Sequence, residues 1–199
     1  PQDAAALTYY LNIAEDEIQR ISGIVRRMRD FYRPAPEGLQ PTDIHEVLGS
    51  TMALAGKQLQ HSNVEVKRRW REDIPKVLGN ADHLKQVFLN LVLNAIDAMP
   101  DGGTLTIRTS IDRLEAGDGH PETPAVRIDF ADTGAGIPME VRSRIFEPFF
   151  TTKEQGSGLG LSISYNIVKS HKGEILITSE ENVGTTFSIL LPLTEKAER

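Results

Sequence analysis

The sequence predicts an α/β two-layer sandwich that is preceded by one long helix of the kind found in helical bundles. Residues 4–32 repeat apolar side chains at helical spacing, and from residue 42 onward amphipathic helices alternate with strands whose apolar residues share one face. Between these parts lies "RPAPEGLQP", whose prolines and glycine cannot continue a helix. We therefore expect a bundle helix over residues 1–33, a linker over 34–41 and an α/β domain over 42–194.

The first helix carries apolar residues spaced alternately four and three positions apart, which is the heptad pattern of bundle and coiled-coil helices. Ile24 and Phe31 widen this stripe beyond a two-position seam, which favours a four-helix bundle over a two-stranded coil. We expect its partners in another chain or in an upstream helix, while docking on its own domain stays open as the alternative. The seam residues are Leu7, Leu11, Ala14, Ile18, Ile21, Val25 and Met28.

The α/β domain begins with "TDIHEVLGSTMALAGKQLQ", a predicted helix that starts at a capping Thr or Asp. The strand "VEVKRRW" and the helix "NADHLKQVFLNLVLNAIDAM" follow. "TLTIRTSI" and "AVRIDFA" alternate apolar and polar residues and predict two strands, with the charged "DRLEAGDGHPETP" as a solvated loop between them. After a long loop, "LGLSISYNIVKSH" predicts a helix, and "GEILITS" and "TTFSILLP" predict the two final strands.

Composition narrows the class of protein. The 199 residues are 39% hydrophobic and 25% charged, which is typical of a soluble globular protein. A net charge of −6 argues against general nucleic-acid binding, because phosphate contacts need a basic surface. The chain has neither a run of about 18 apolar residues nor a signal peptide, so we expect this piece to make no membrane contact. The absence of cysteine excludes disulfides and thiolate metal sites and is compatible with a cytoplasmic location, which we expect.

Polar residues interrupt the apolar pattern at three places. Asn90, Asn94 and Asp97 share one face of the second predicted helix of the α/β domain, which indicates either a buried hydrogen-bond network or a ligand site. "DFADTGAGIP" places Asp132 at a strand end before two glycines, and "GSGLGLS" leads directly into a helix. Glycines and a helix N-terminus can present backbone N–H groups to phosphate, although turns alone also explain such clusters. Neither cluster fits a Walker A loop or a dinucleotide fingerprint.

Taken in order, "NLVLNAIDA", "DTGAG", "IFEPFFTTK" and "GSGLGLS" resemble the N box, first glycine box, phenylalanine box and second glycine box of sensor histidine kinases. The resemblance runs from about residue 42 to 192. The preceding "EDEIQRISGIVRRMRDFYRP" is similar to the second helix of their dimerisation and phosphoacceptor domain, in the nitrogen-regulation-like branch. The wider ATPase superfamily, which includes DNA gyrase and MutL, shares three of the boxes, so the resemblance implies the fold of that superfamily.

For the phosphate end of the site, the resemblance implies that the substrate is ATP, bound with Mg²⁺. Asn94 would ligate the metal through its amide oxygen, and Asn90 would lie beside the triphosphate. Hydrolysing relatives have a water-activating glutamate where this chain has Asn90, so transfer to an acceptor other than water is implied. Asp97 either belongs to this site or only stabilises the helix. Lys153 either meets the γ-phosphate, with a catalytic role beside the two asparagines, or is a solvated lysine.

For the base end, the resemblance implies that Asp132 accepts a hydrogen bond from the adenine amine, which would select ATP over GTP. Thr185 would complete this contact, unless it is a plain strand threonine. The phenylalanines Phe146, Phe149 and Phe150 would anchor a lid over about residues 138–157, and Phe149 and Phe150 would meet the bundle helix. Backbone of the two glycine boxes would hold the base and the phosphates, at Gly134, Gly136, Ile137, Gly156, Gly158, Leu159 and Gly160.

The histidines depart from the family pattern, because none lies in the His-Glu-x-x-x-Pro context of the phosphoacceptor. We therefore expect a truncated kinase that passes the γ-phosphoryl of ATP to a histidine outside this chain and then to a response-regulator aspartate. The full-length protein would form a homodimer through the bundle helix, whether or not it is membrane-anchored. A hydrolysing chaperone or repair ATPase and a non-catalytic nucleotide-binding regulatory module are the alternatives. The histidines are His45, His61, His83, His120 and His171.

Overall fold

The structure is a computed structural model that describes residues 38–114, 122–153 and 156–193, so the predicted bundle helix lies outside the described residues. Within them, the chain forms the predicted two layers, helices on one side and a sheet on the other, and the fold class is confirmed. The helices are α1 (Ile44–His61), α2 (Ala81–Ala98), the short α3 (Met139–Arg142) and α4 (Gly160–Ser170). The strands are β1 (Gln40–Thr42), β2 (Val64–Arg69), β3 (Val77–Gly79), β4 (Gly103–Leu114), β5 (Thr123–Asp132), β6 (Glu174–Glu180) and β7 (Gly184–Pro192).

The main sheet has five strands in the order β2-β4-β5-β7-β6. β2 runs parallel to β4, which the crossover through α2 permits, and the other neighbours are antiparallel. The register places Asp132 at the end of β5 opposite Thr185 on β7, and Thr185 opposite Ser179 on β6. Three polar residues from three neighbouring strands are thereby brought to one end of the sheet.

The core lies between the sheet and helices α1, α2 and α4. The apolar face of α2 is fully buried, and the Phe88 ring packs on Phe130 of β5 with centroids 5.5 Å apart. Burial of each such side chain stabilises the fold by about 1.5–3 kcal/mol, so the orientation of α2 is fixed strongly. The opposite stripe of α2, which carries Asn90, Asn94 and Asp97, is left facing a cleft.

The helix starts agree with the sequence pattern. Asp43 caps α1 by accepting hydrogen bonds from the backbone N–H groups of His45 and Glu46. Asn80 caps α2 in the same way and accepts from Asp82 and His83. Each such cap contributes on the order of 1 kcal/mol. No helix within the described residues is both long and apolar enough to cross a membrane.

Some details differ from the sequence prediction. β4 and β5 continue into the predicted loop as far as the pair Leu114 and Thr123, where the sequence alternation is no longer visible. An ion pair of 2.9 Å between Asp112 and Arg127 joins the extended part of β4 to β5 across the outer face of the sheet. The small β1–β3 sheet and the helix α3 were not predicted, because strands and helices this short leave little periodicity.

Candidate nucleotide-binding site

A cleft of ≈ 690 Å³ opens between α2, the ends of β5 and β7, and the segment that leads into α4. This volume lies in the ordinary range for small-molecule sites. The structure brings most of the predicted site residues to its walls: Asn90, Asn94, Asp97, Asp132, Gly136, Ile137, Lys153, Gly156, Gly158, Gly160 and Thr185. Residues separated by up to 95 positions in the chain therefore meet at one site.

Two predicted residues do not line the cleft. Leu159 turns its side chain into the core, where it is 2% exposed. Gly134 lies behind the wall, and its N–H donates to the Asp132 carboxylate at 2.9 Å. A side chain at Gly134 would collide with the backbone of Ala98 at the end of α2. Both residues therefore support the site from outside the cleft.

The end of the cleft where the resemblance predicts the base, called the base end below, centres on the Asp132 carboxylate. Its Oδ1 accepts hydrogen bonds from the backbone N–H groups of Gly134 and Thr185, at 2.9 and 3.2 Å. Burial raises the pKa of Asp132 above its ordinary value, and these backbone bonds act in the opposite direction. The carboxylate is thus oriented by backbone and presents itself to the cleft as a hydrogen-bond acceptor.

Sequence reasoning missed Ser179, which lies directly behind this end of the cleft. Its hydroxyl is 2.9 Å from the Thr185 hydroxyl and accepts from the Ile137 N–H at 2.8 Å. A signal was present in the sequence, since Asp132, Ser179 and Thr185 all occupy the core-facing phase of their strands. On each strand the core-facing positions are apolar until the strand end, where a polar residue takes the next such position. A polar residue there marks the boundary between the core and a site.

At the other end of the cleft, where the resemblance predicts the phosphates and which is called the phosphate end below, Asn90 holds α2 against the start of α4. Its Nδ2 donates to the Ser164 hydroxyl at 3.0 Å, a contact that sequence reasoning also missed. Its Oδ1 lies so close to Gly160 that any side chain there would collide with it. Glycine at this position therefore allows the Asn90 amide to reach the first turn of α4.

Asn94 and Asp97 aim their oxygens at one point, where the Lys153 ammonium lies. Lys153 Nζ is 3.3 Å from Asn94 Oδ1 and 2.6 Å from Asp97 Oδ2. Oxygen ligands suit a hard metal ion, so the Asn94 amide oxygen fits Mg²⁺, whereas the Asp97 carboxylate holds the lysine. No group of three or more His, Cys, Asp or Glu suited to a metal lies among the described residues.

The three phenylalanines of "IFEPFF" have different environments. Phe146 packs on Tyr165 of α4 with ring centroids 5.5 Å apart, and Phe150 lies under the Arg144 guanidinium and packs against the core. Phe149 is 61% exposed and adopts a positive φ of 67°. Phe146 and Phe150 therefore fasten this segment to the body of the domain, whereas Phe149 is presented to solvent.

The buried His171 joins the two helices that carry the phosphate end. Its ring Nε2 accepts the Asn80 N–H at 2.9 Å at the start of α2, and its Nδ1–H donates to the Ile167 carbonyl at 2.7 Å in α4. Burial lowers the pKa of His171, in agreement with the neutral ring that these two bonds require. The imidazole is thus a fixed part of the frame and is withdrawn from solvent.

The class of this domain follows from the protein family that it matches. The family described as "Histidine kinase-, DNA gyrase B-, and HSP90-like ATPase" matches residues 79–195. The chain belongs to this family. The matched part of this ATPase domain contains every wall of the cleft, from α2 through β7.

Among curated proteins, the ATPase domain resembles sensor kinases. The whole chain is 36% identical over 189 residues to sporulation kinase E of Bacillus subtilis, covering 95% of this chain and 24% of that protein. It is 35% identical over 184 residues to the sensory histidine kinase/phosphatase NtrB of Rhodobacter capsulatus, covering 91% of this chain and 51% of that protein. The chain thus spans about a quarter to a half of these relatives. The resemblance to sensor histidine kinases, including a nitrogen-regulation member, is confirmed.

Solved structures of histidine kinases share the fold of this chain. Full-length ShkA in complex with AMPPNP matches with a TM-score of 0.75 and 27% identity, over 92% of this chain and 38% of that one. The histidine kinase ThkA, in complex with the response regulator TrrA, matches with a TM-score of 0.69 and 27% identity, over 95% of this chain and 52% of that one.

Proposed function

We propose that this ATPase domain binds ATP with Mg²⁺ and transfers the γ-phosphoryl group to a histidine of a dimerisation domain. The observation that carries the proposal is the convergence of Asn90, Asn94 and Asp132 on one cleft, in a chain of the histidine kinase-like ATPase family. The aspartate offers an acceptor for a base, and the asparagines offer oxygens and N–H donors for a metal triphosphate. The cleft therefore offers contacts for both the base and the triphosphate of a nucleotide.

The base end supports a preference for adenine. Asp132 is held by two backbone N–H groups, so its carboxylate cannot easily turn away from the cleft. An acceptor of this kind pairs with the exocyclic amine of adenine, whereas the carbonyl oxygen of guanine would leave it unpaired at a cost of about 1–3 kcal/mol. ATP is therefore the expected nucleotide, and GTP a poor one.

The phosphate end supports transfer rather than hydrolysis. Mg²⁺ would be held by the Asn94 amide oxygen together with phosphate oxygens, and would neutralise the charge of the transferred group. Asn90 cannot take a proton from water, and its Nδ2 is already bonded to Ser164. Lys153 is placed to leave Asp97 for the γ-phosphate, since both of its present partners line the cleft. These residues would therefore position the phosphoryl group, and none of them would activate a water molecule to attack it.

The partners follow from the same proposal. The acceptor is a histidine on a helical hairpin of the dimerisation domain, and the next acceptor is an aspartate of a response-regulator receiver domain. ThkA, whose fold is similar, was solved in complex with the response regulator TrrA. We propose the same class of partner here, together with homodimerisation of the full-length protein through the bundle helix and a cytoplasmic location for this domain.

The test supplies a helical hairpin with a His-Glu-x-x-x-Pro motif in trans and follows label from γ-labelled ATP. We expect acid-labile label on the hairpin, as phosphohistidine requires, and none on this chain alone. Asn94→Ala should abolish the transfer. Asp82→Asn, on the outer surface of the same helix, is the matched control and should leave it unchanged.

Three results would contradict the proposal. The first is acid-labile label mapped to a histidine of this chain. The second is release of inorganic phosphate at the same rate with and without the hairpin, which would indicate a hydrolysing ATPase. The third is binding of ATP without any transfer to the hairpin, which would indicate a regulatory nucleotide-binding module.

A further inference from the structure

Ser179 on β6 lies at the centre of a buried hydrogen-bond network behind the base end of the cleft. Its side-chain oxygen has three polar neighbours, namely the Ile137 N–H at 2.8 Å, the Thr185 hydroxyl at 2.9 Å and the Gly184 carbonyl at 3.1 Å. Ser179 and Thr185 are only 9% and 4% exposed. Water therefore has little access to these bonds, and the hydroxyls must satisfy one another.

The number of hydrogens fixes the direction of these bonds. A serine hydroxyl has one hydrogen to donate and can accept two. The Ile137 N–H can only donate, and the Gly184 carbonyl can only accept. All three contacts are satisfied together when Ser179 donates to Gly184 and accepts from both Ile137 and Thr185. If Ser179 donated to Thr185 instead, its contact with the Gly184 carbonyl would have no hydrogen.

The direction of the hydrogen bond from Thr185 to Ser179 determines whether the Thr185 hydroxyl can donate or accept in the cleft. Its single hydrogen is used toward Ser179, so its oxygen faces a ligand only as an acceptor. Asp132, its neighbour in the register, is also an acceptor. We propose that Ser179 is a specificity-determining positioning residue, which fixes the Thr185 hydroxyl as an acceptor and so makes the cleft select purines that carry an amine at C6, as adenine does. This inference rests on the proposed function, because it concerns the base of the bound nucleotide.

The same serine ties the base end to the glycine turn that follows β5. It holds Ile137 directly, and the Asn182 N–H donates to the Ala135 carbonyl at 2.7 Å beside it. Gly136, between these two anchors, has a φ of 71° and lies against the backbone of Glu180. The β6–β7 hairpin thus sets the position of the turn as well as the direction of the Thr185 hydroxyl.

The test compares ATP with purine riboside triphosphate, which lacks the amine and keeps the acceptor nitrogen of the ring. Dissociation constants are measured by calorimetry with Mg²⁺ for the unmodified protein and for Ser179→Ala. In the variant the Thr185 hydrogen is released and can donate to the ring nitrogen of either ligand. We expect the preference for ATP to fall about fivefold, which corresponds to one hydrogen bond of about 1 kcal/mol.

Further variants separate this role from a merely structural one. Ser188→Ala removes another buried serine hydroxyl, one that bonds Asp129 and Arg127 away from the cleft, and should leave the preference unchanged. Ser179→Thr keeps the hydroxyl and should retain the preference. Thr185→Val should lower the preference by itself, and in that background Ser179→Ala should lower it no further. The Thr185→Val measurement also tests the acceptor role if Ser179→Ala does not fold.

The outcomes are distinct. Equal losses of affinity for both ligands in Ser179→Ala, with an unchanged ratio, would overturn the inference and leave ATP binding intact. An additive effect of Ser179→Ala in the Thr185→Val background would overturn it as well, since Ser179 would then act by another route. Failure of the unmodified protein to bind ATP would overturn the proposed function and, with it, this inference.

Discussion

The two ends of the cleft are built in different ways. At the base end, Asp132, Ser179 and Thr185 come from neighbouring strands and are held by one another and by backbone N–H groups. At the phosphate end, Lys153 and Asp97 meet in an ion pair whose side chains are 46% and 51% exposed. An exposed ion pair contributes only about 0–1 kcal/mol, so it is easily exchanged for another partner.

Under the proposed function, this difference would assign nucleotide selectivity to the base end and adaptation to the phosphate end. The base end is formed by strand pairing, so under the proposed function it would exist before a nucleotide arrives and would reject the wrong base by leaving its acceptors unpaired. The phosphate end depends on a lysine from the segment before α4, which can exchange Asp97 for a phosphate at little cost.

The largest effect is expected at the base end. Asp132→Ala removes the acceptor for the adenine amine and leaves the N–H groups of Gly134 and Thr185 without their partner. We expect ATP affinity to fall by about 1.5–3 kcal/mol, roughly ten- to a hundredfold, in calorimetry. Asp129→Ala, two residues earlier and bonded to Arg127 on the outer face, is the control and should keep its ATP affinity. Equal losses in both variants would mean that strand stability, and not base recognition, is responsible.

The next largest effect is expected from Asn94→Ala, at the phosphate end. The variant should lose the magnesium-dependent part of ATP affinity, on the order of 1.5 kcal/mol or about tenfold, because the metal loses its amide ligand. Titrations with Mg²⁺ and with a chelator measure this part directly. If magnesium strengthened ATP binding equally in the variant and the unmodified protein, Asn94 would have no role toward the metal.

A pH effect on stability is expected from His171, which joins the helices of the phosphate end. Its pKa is lowered in the folded protein, so below about pH 6.5 the unfolded chain binds more protons than the folded one. The free energy of unfolding should therefore fall as the pH drops below this value, by on the order of 1 kcal/mol for the lost Asn80 bond. Denaturant unfolding at several pH values measures this change in the free energy of unfolding. The slope should become shallower in His171→Gln and stay unchanged in His61→Gln, an exposed control. An identical slope in both variants would exclude His171 as a source of it.

The smallest effect is expected from Asp97→Asn, which weakens the hold on Lys153 and removes a negative charge near the phosphates. We expect ATP affinity to rise about twofold, as for the loss of an exposed ion pair. Asp82→Asn breaks a comparable pair with Lys85 on the same helix and should have no effect. A tenfold loss of affinity would instead make Asp97 a ligand of the metal.

The sequence predicts some of these features and misses others for physical reasons. The polar stripe of α2 is visible because helical spacing is local, and Phe88 and Leu91 mark the opposite, buried side. The strand phase of Ser179 is visible in the sequence, but its role is not, because that role depends on strand register with Thr185 and on the return of Ile137 from 42 residues away. The pairing of Lys153 with Asp97 likewise depends on the path of a loop. Spacing identifies faces of single elements, whereas these contacts arise from the packing of several.

The most direct test of the account is calorimetric titration of the unmodified protein with ATP and with GTP, each with Mg²⁺. The cleft presents oriented acceptors at its base end, so ATP should bind at least about tenfold more tightly than GTP. The same titration with Asp132→Ala should show most of that difference lost. Equal affinity of the unmodified protein for the two nucleotides would contradict the assignment of Asp132, and with it the division between a selective base end and an adaptable phosphate end.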